Sequence, residues 1–139
     1  MIVLHAKRNS AVSGWTKIAD GDLWRWKWGE WTSPAFPYLE ERPWTPIVVA
    51  GRLCFAAHRE DLGWCVVWGD EIGRWYDDVY DIAEVRGAPI YIARDGADFF
   101  LVWDGRESQR FRTARDRIKA RLDILKGLTD QELAAKPAD

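Results

Sequence analysis

Histidine, cysteine and methionine are scarce in this chain: two, two and one among 139 residues. Each shortage removes a class of chemistry. Cys54 and Cys65 are too few for paired Cys-x-x-Cys zinc ligation or a disulfide framework, and they read as two free, buried thiols in a reducing compartment. Nucleophile-elbow, phosphate-loop and His-Glu-x-x-His patterns are all missing. No run of about 18 apolar residues occurs, so no helical membrane span is expected. The opening Met1-Ile2-Val3-Leu4-His5-Ala6 lacks the charged leader and long apolar core of a secretory signal. It reads as the first strand of a cytoplasmic protein, with residues 1–139 forming one domain.

Tryptophan is abundant instead. There are ten, and three of them mark a repeat. Trp28, Trp68 and Trp103 are each followed eight residues later by another ring: Phe36, Tyr76 and Phe111. Aligning Gly51 with Gly87 matches Phe55 to Tyr91 and Ala57 to Ala93 and, after one deletion, residues 64–68 to residues 99–103. In an earlier copy, Leu4 and Ala6 take the places of Phe55 and Ala57, and residues 24–28 take the place of 64–68, with an insertion within residues 7–23. Fixed-period similarity of this kind is the signature of a repeat architecture. The copies are placed at residues 2–45, 46–82 and 83–112.

Each copy reads as strand, turn, strand. Ile90-Tyr91-Ile92-Ala93 and Phe99-Phe100-Leu101-Val102-Trp103 flank a cluster containing Asp95-Gly96, and residues 53–57 and 64–68 flank a loop at 58–63. Side chains alternate across a strand, so Trp24, Trp26 and Trp28 share one face while Arg25 and Lys27 share the other. Residues 64–68 are apolar throughout, which predicts cover on both faces. The first copy should have one wetter side.

The pattern changes after Phe111. Ala114, Ile118, Leu122 and Leu125 recur at helical spacing and Gly127 suits a C-cap, which predicts a helical segment over 113–136. The expected fold is therefore mainly β: three β-meander repeats forming an antiparallel, barrel-like body closed by a C-terminal helix. A β-trefoil is the competing arrangement.

Charge is uneven. Net charge is −2, with residues 1–105 at −5, residues 106–126 at +5 and the tail at −2. In the basic segment Arg112, Arg115, Lys119 and Lys126 alternate with Asp116 and Asp123 at three- and four-residue spacing, the pattern of a solvated helix surface. That and a pI near 5.7 disfavour nucleic acid as a partner.

Trp28, Trp68 and Trp103 are expected in the core. Trp15, Trp31, Trp44 and Trp75 fall outside the repeated stations, near Gly, Pro or charged residues, and are candidates for contact with a protein partner. The stretch Trp75-Tyr76-Asp77-Asp78-Val79-Tyr80-Asp81 lacks the ligand ladder of a calcium loop, so no metal or other cofactor is expected. Its Asp77, Asp78, Tyr80 and Asp81 would suit a basic partner, against the plain reading of a solvated turn. A stacking surface of Trp24, Trp26 and Trp31 for a sugar or nucleotide is the alternative. His58 reads as a turn residue, although Glu60 and Asp61 nearby leave an acid–base pair as a third reading.

Lys27-Trp28-Gly29 and Val67-Trp68-Gly69, each leading into an aromatic strand, resemble the Trp–Gly signature of bacterial WG-type repeat proteins, over about residues 2–112. The third copy departs from it with Trp103-Asp104-Gly105. The resemblance implies a β-repeat interaction module and no catalytic residues. The functional expectation is accordingly a non-catalytic bacterial module that binds and inhibits another protein, as immunity proteins or phage anti-defence inhibitors do. A small-ligand module is the alternative.

Overall fold

The structure, a computed structural model, describes residues 14–42 and 45–112, and every regular element within them is a β-strand. The first sheet holds β1 (Trp15–Asp20), β2 (Leu23–Trp28) and β3 (Trp31–Thr32). The second holds β4 (Tyr38–Leu39), β5 (Ile47–Val49), β6 (Arg52–Arg59), β7 (Gly63–Trp68) and β8 (Glu71–Ile72), with β4 and β5 both paired to β6. The third is the meander β9 (Asp78–Val85), β10 (Ala88–Asp95), β11 (Asp98–Trp103) and β12 (Arg106–Glu107). β4 and β5 together pair with β6 as β9 pairs with β10, but are interrupted between Leu39 and Ile47, whereas β9 runs on with a register shift near Asp81.

All pairings are antiparallel, and the register makes the three units superimpose. Trp15 pairs with Trp28, Cys54 with Trp68, and Ile90 with Trp103. This corrects the first copy of the repeat. The strand that pairs with residues 24–28 is β1, not Leu4 to Ala6, and no insertion is needed. Polar Thr16 and Lys17 hide β1 from a match based on apolar residues. Residues 1–13 lie outside the described residues, as do Trp44 and the helical segment expected over 113–136.

The body is three separate sheets rather than one barrel-like sheet. The last strand of each unit, β3, β8 or β12, pairs over only two residues. Too little edge is presented for the sheets to join side by side, so they bury faces instead. Neither a barrel nor the barrel of a trefoil closes among the described residues.

Alternation along β6 shows the layering. Leu53, Phe55 and Ala57 join Trp15, Trp26 and Phe36 in the core between the first and second sheets. Cys54 and Ala56 join Tyr91, Ala93, Phe100 and Val102 between the second and third. A third cluster, including Ile90, Ile92, Leu101 and Trp103, lies on the far face of the third sheet. Residues 64–68 are covered on both faces and β2 has its wetter side, as the alternation predicted.

The marker tryptophans occupy matching places. The Trp68 indole donates to the Val49 carbonyl at 2.8 Å, and the Trp103 indole donates to that of Val85 at 2.9 Å. Each ring carries a guanidinium, Arg52 at 3.7 Å and Arg106 at 4.5 Å. Trp28 meets Trp15 edge-on at 6.5 Å. The turn after each ring explains why the third copy breaks the Trp–Gly pattern. Gly29 and Gly69 alone take positive φ (62° and 63°), as type II′ turns require, whereas Asp104 and Gly105 both do, as type I′ requires. Two turn types with the same twist serve one purpose.

Cys54 and Cys65 lie on opposite faces of the second sheet, so they cannot pair. Burial pushes both thiols up to about 12. Native protein at pH of about 8 is expected to take up no iodoacetamide, and two equivalents once unfolded, because the thiolate is the nucleophile. Mass spectrometry before and after denaturation reads this directly; rapid native labelling of either cysteine would contradict the packing.

Candidate interaction site: an aromatic groove between the second and third sheets

Rings cluster where strands enter and leave the hairpin turns at one end of the sheets. Trp24, Trp64 and Phe99 hold the same station in the three units, each bridging back to the ring that closes its repeat, Phe36, Tyr76 or Phe111. Tyr38 stands between the first two. Its ring meets Trp64 edge-on at 5.7 Å, and His58 packs on the other part of Trp64 at 4.8 Å. Tyr80 continues the row against Phe99 at 6.4 Å. Tyr38 and Trp24 are 45% and 37% exposed, which makes them available to a partner while their strands hold them still.

A groove of about 500 Å³ opens among Tyr38, His58, Trp64 and Tyr80. Its charged lining is Glu40, Asp78 and Asp81, set against Arg42. Glu40 is almost fully buried and lies 3.4 Å from Arg42. Burial raises its carboxyl above the usual range; Arg42 opposes this and Asp78 adds to it. Asp78 accepts from the Val79 amide at 3.0 Å and from the Tyr80 hydroxyl at 2.9 Å. Burial, foremost, raises the Tyr80 phenol, which also hydrogen-bonds Arg94. Among the described residues no His, Cys, Asp and Glu side chains converge as a metal site would require.

The residues singled out from the sequence divide sharply. Trp15 is 1% exposed and Trp26 is fully buried, both in the core between the first two sheets. Neither can lie on a binding rim, and the stacking surface of Trp24, Trp26 and Trp31 loses its middle ring. The reason is that β1 and Trp26 face the second sheet, a relation no local pattern reports. Trp31 is a half-buried clip whose indole donates to Asp70 at 2.9 Å, tying the first sheet to the second. Trp75 packs edge-on against Phe36 at 6.2 Å. Asp77 accepts from the Gly96 amide at 2.7 Å and braces the β10–β11 turn. Asp78, Tyr80 and Asp81 do come together, in the groove.

His58 is not a turn residue: it lies within β6, paired with Trp64 and Tyr38. Asp61 is 3.7 Å from Arg59, and the imidazole packs on rings. Sequence reasoning missed Tyr38, Glu40 and Trp64. The signal was present: Tyr38 and Asp78 are 40 residues apart, the interval between Trp28 and Trp68.

The fold and the groove together define a three-unit β-repeat with an aromatic, acid-lined cleft at one end. No protein family, curated protein sequence or solved structure matches the chain.

Proposed function

We propose that this protein is a non-catalytic interaction module that binds another protein through the end carrying the groove. One observation carries the reading: exposed Tyr38 stands edge-on to half-buried Trp64 in a groove lined by three carboxylates, with exposed Trp24 on the other side of Lys17. Rings held this way offer contact area at small entropic cost, and carboxylates add steering and specificity. The absence of a catalytic pattern in the sequence and the Trp–Gly resemblance point the same way. Inhibition of a bacterial partner in the cytoplasm, in the manner of immunity or anti-defence proteins, is the role we assign to that binding.

A photo-crosslinking residue at Tyr38, in cells expressing the full chain, is expected to trap a discrete protein adduct. The same residue at Glu30, on an exposed turn at the opposite end, is expected to trap none. Trp64→Ala should weaken the purified complex by about thirtyfold, the size of a 2 kcal/mol hot spot. Identical adducts from both positions, or an unchanged affinity in Trp64→Ala, would refute the proposal.

A second observation favours the small-ligand alternative at another place. A cleft of about 340 Å³ at the opposite end is lined by Trp68, Arg74 and Tyr91. The Tyr91 hydroxyl makes no hydrogen bond among the described residues, and burial raises its phenol. Its neighbour Tyr76 instead donates to buried Glu107 at 2.7 Å, where Arg74 also binds at 3.1 Å.

A further inference from the structure

Between the first two sheets a lysine sits in a cradle of rings and a carboxylate. Lys17 projects from β1, opposite Trp26, towards the second sheet. Its ammonium lies 5.0 Å from the centre of the Trp24 ring, 5.8 Å from that of Tyr38, and 3.8 Å from a carboxylate oxygen of Glu41. Two ring faces and a carboxylate around a partly desolvated ammonium are a favourable cation site.

Strand register carries this arrangement into the next layer. Trp15 pairs with Trp28 as Cys54 pairs with Trp68, so Lys17 and Ala56 hold one station and Trp24 and Trp64 another. Tyr38 pairs with His58 as Asp78 pairs with Arg94, so Tyr38 and Asp78 correspond. Glu41 and Asp81 each follow three residues later. The second cradle therefore keeps the indole and the carboxylate, exchanges a tyrosine for an aspartate, and sets His58 against the indole where the first layer has Ala19. It also loses the lysine, because Ala56 ends at its methyl group. Tyr38 enters from the other side as a second ring against Trp64. Trp64, Tyr38, Asp78 and Asp81 all line the groove.

We infer that the groove receives one lysine or arginine side chain of a protein partner, seated on the Trp64 ring against Asp78, where Lys17 serves in the layer before. The inference rests on the interaction reading above and adds the chemistry of recognition. Glu40, Asp78 and Asp81 line the groove with Arg42, and Arg94 borders it at Tyr80 and Asp78, which leaves one carboxylate in excess of the guanidinium groups; that excess disfavours an acidic or phosphorylated partner, and the rings reward a cation that sheds part of its water. The third layer cannot repeat the device, since Ile92 and Phe99 stand where Lys17 and Trp24 stand in the first.

The test uses the full-length chain, labelled with ¹⁵N, and the blocked peptide acetyl-Gly-Lys-Gly-amide beside its Nε-acetylated form. The Trp64 indole resonance, assigned with Trp64→Phe, is expected to shift saturably with the lysine peptide and at least tenfold more weakly with the acetylated one. Asp78→Asn, with an otherwise native spectrum, should weaken binding about fivefold or more. Lys17→Ala should open a second site, seen as a new saturable shift of the Trp24 indole. Equal shifts for both peptides, no shift at Trp64, or no second site in Lys17→Ala would overturn the inference. Survival of the Tyr38 crosslink in Asp78→Asn at undiminished affinity would sink the cation site while leaving the interaction module standing. Absence of any crosslinked protein would remove the module itself.

Discussion

Gly63→Ala is expected to cost about 3 kcal/mol or more, a large share of the roughly 5–15 kcal/mol that holds a small domain folded. Gly63 opens β7 at a φ of +99°, well outside the ordinary left-handed region of L residues. A Cβ there would lie 2.3 Å from the Tyr76 carbonyl oxygen and 3.2 Å from its carbon. Those are backbone atoms, and the same oxygen accepts from the Trp64 amide at 2.8 Å. The clash cannot be relieved without breaking the bridge that closes the second repeat and positions Trp64. Gly29 provides the contrast. Its φ is +62° but a Cβ would meet nothing within 4 Å, so Gly29→Ala should carry only the backbone cost of its turn position, about 1–3 kcal/mol. Urea denaturation of both variants separates close approach from backbone preference, and equal losses would show that the contact with Tyr76 carries no weight.

Trp26→Ala should be comparably severe, at about 3–5 kcal/mol, because it empties a ring-sized volume in a packed core. Trp26 is fully enclosed between the first and second sheets with Trp15, Phe36, Leu39 and Phe55. Trp24, two residues earlier on the same face, is 37% exposed, and Trp24→Ala should cost about 1 kcal/mol. No sequence-local feature separates them: both are tryptophans in one strand, pointing the same way. The difference in urea midpoints tests whether the first sheet lies across the second as a layer. Similar midpoints for the two variants would argue against that arrangement.

The hairpins were readable because their determinants are local. Period-two alternation, aromatic and β-branched runs, and glycine at positive φ after Trp28 and Trp68 concern residues within a few positions of one another. The eight-residue interval to the next ring was equally readable, and its physical meaning is the bridge that returns Phe36, Tyr76 and Phe111 to Trp24, Trp64 and Phe99. The first copy was misaligned because β1 carries Thr16 and Lys17 where the later copies carry Phe55 and Ala56 or Tyr91 and Ile92. Matching by apolarity passes over such a strand, while pairing with β2 identifies it at once.

Strand content, turn positions and the three-unit period thus follow from neighbours in the chain. Which rings sink and which stay at the surface does not, because it depends on the stacking of one sheet upon another across some 40 residues. That stacking buries Trp15 and Trp26 and brings Tyr38 of one unit to Asp78 of the next. The groove exists only in the gap between layers, where a lysine in one repeat and an alanine in the next divide a filled cradle from an open one.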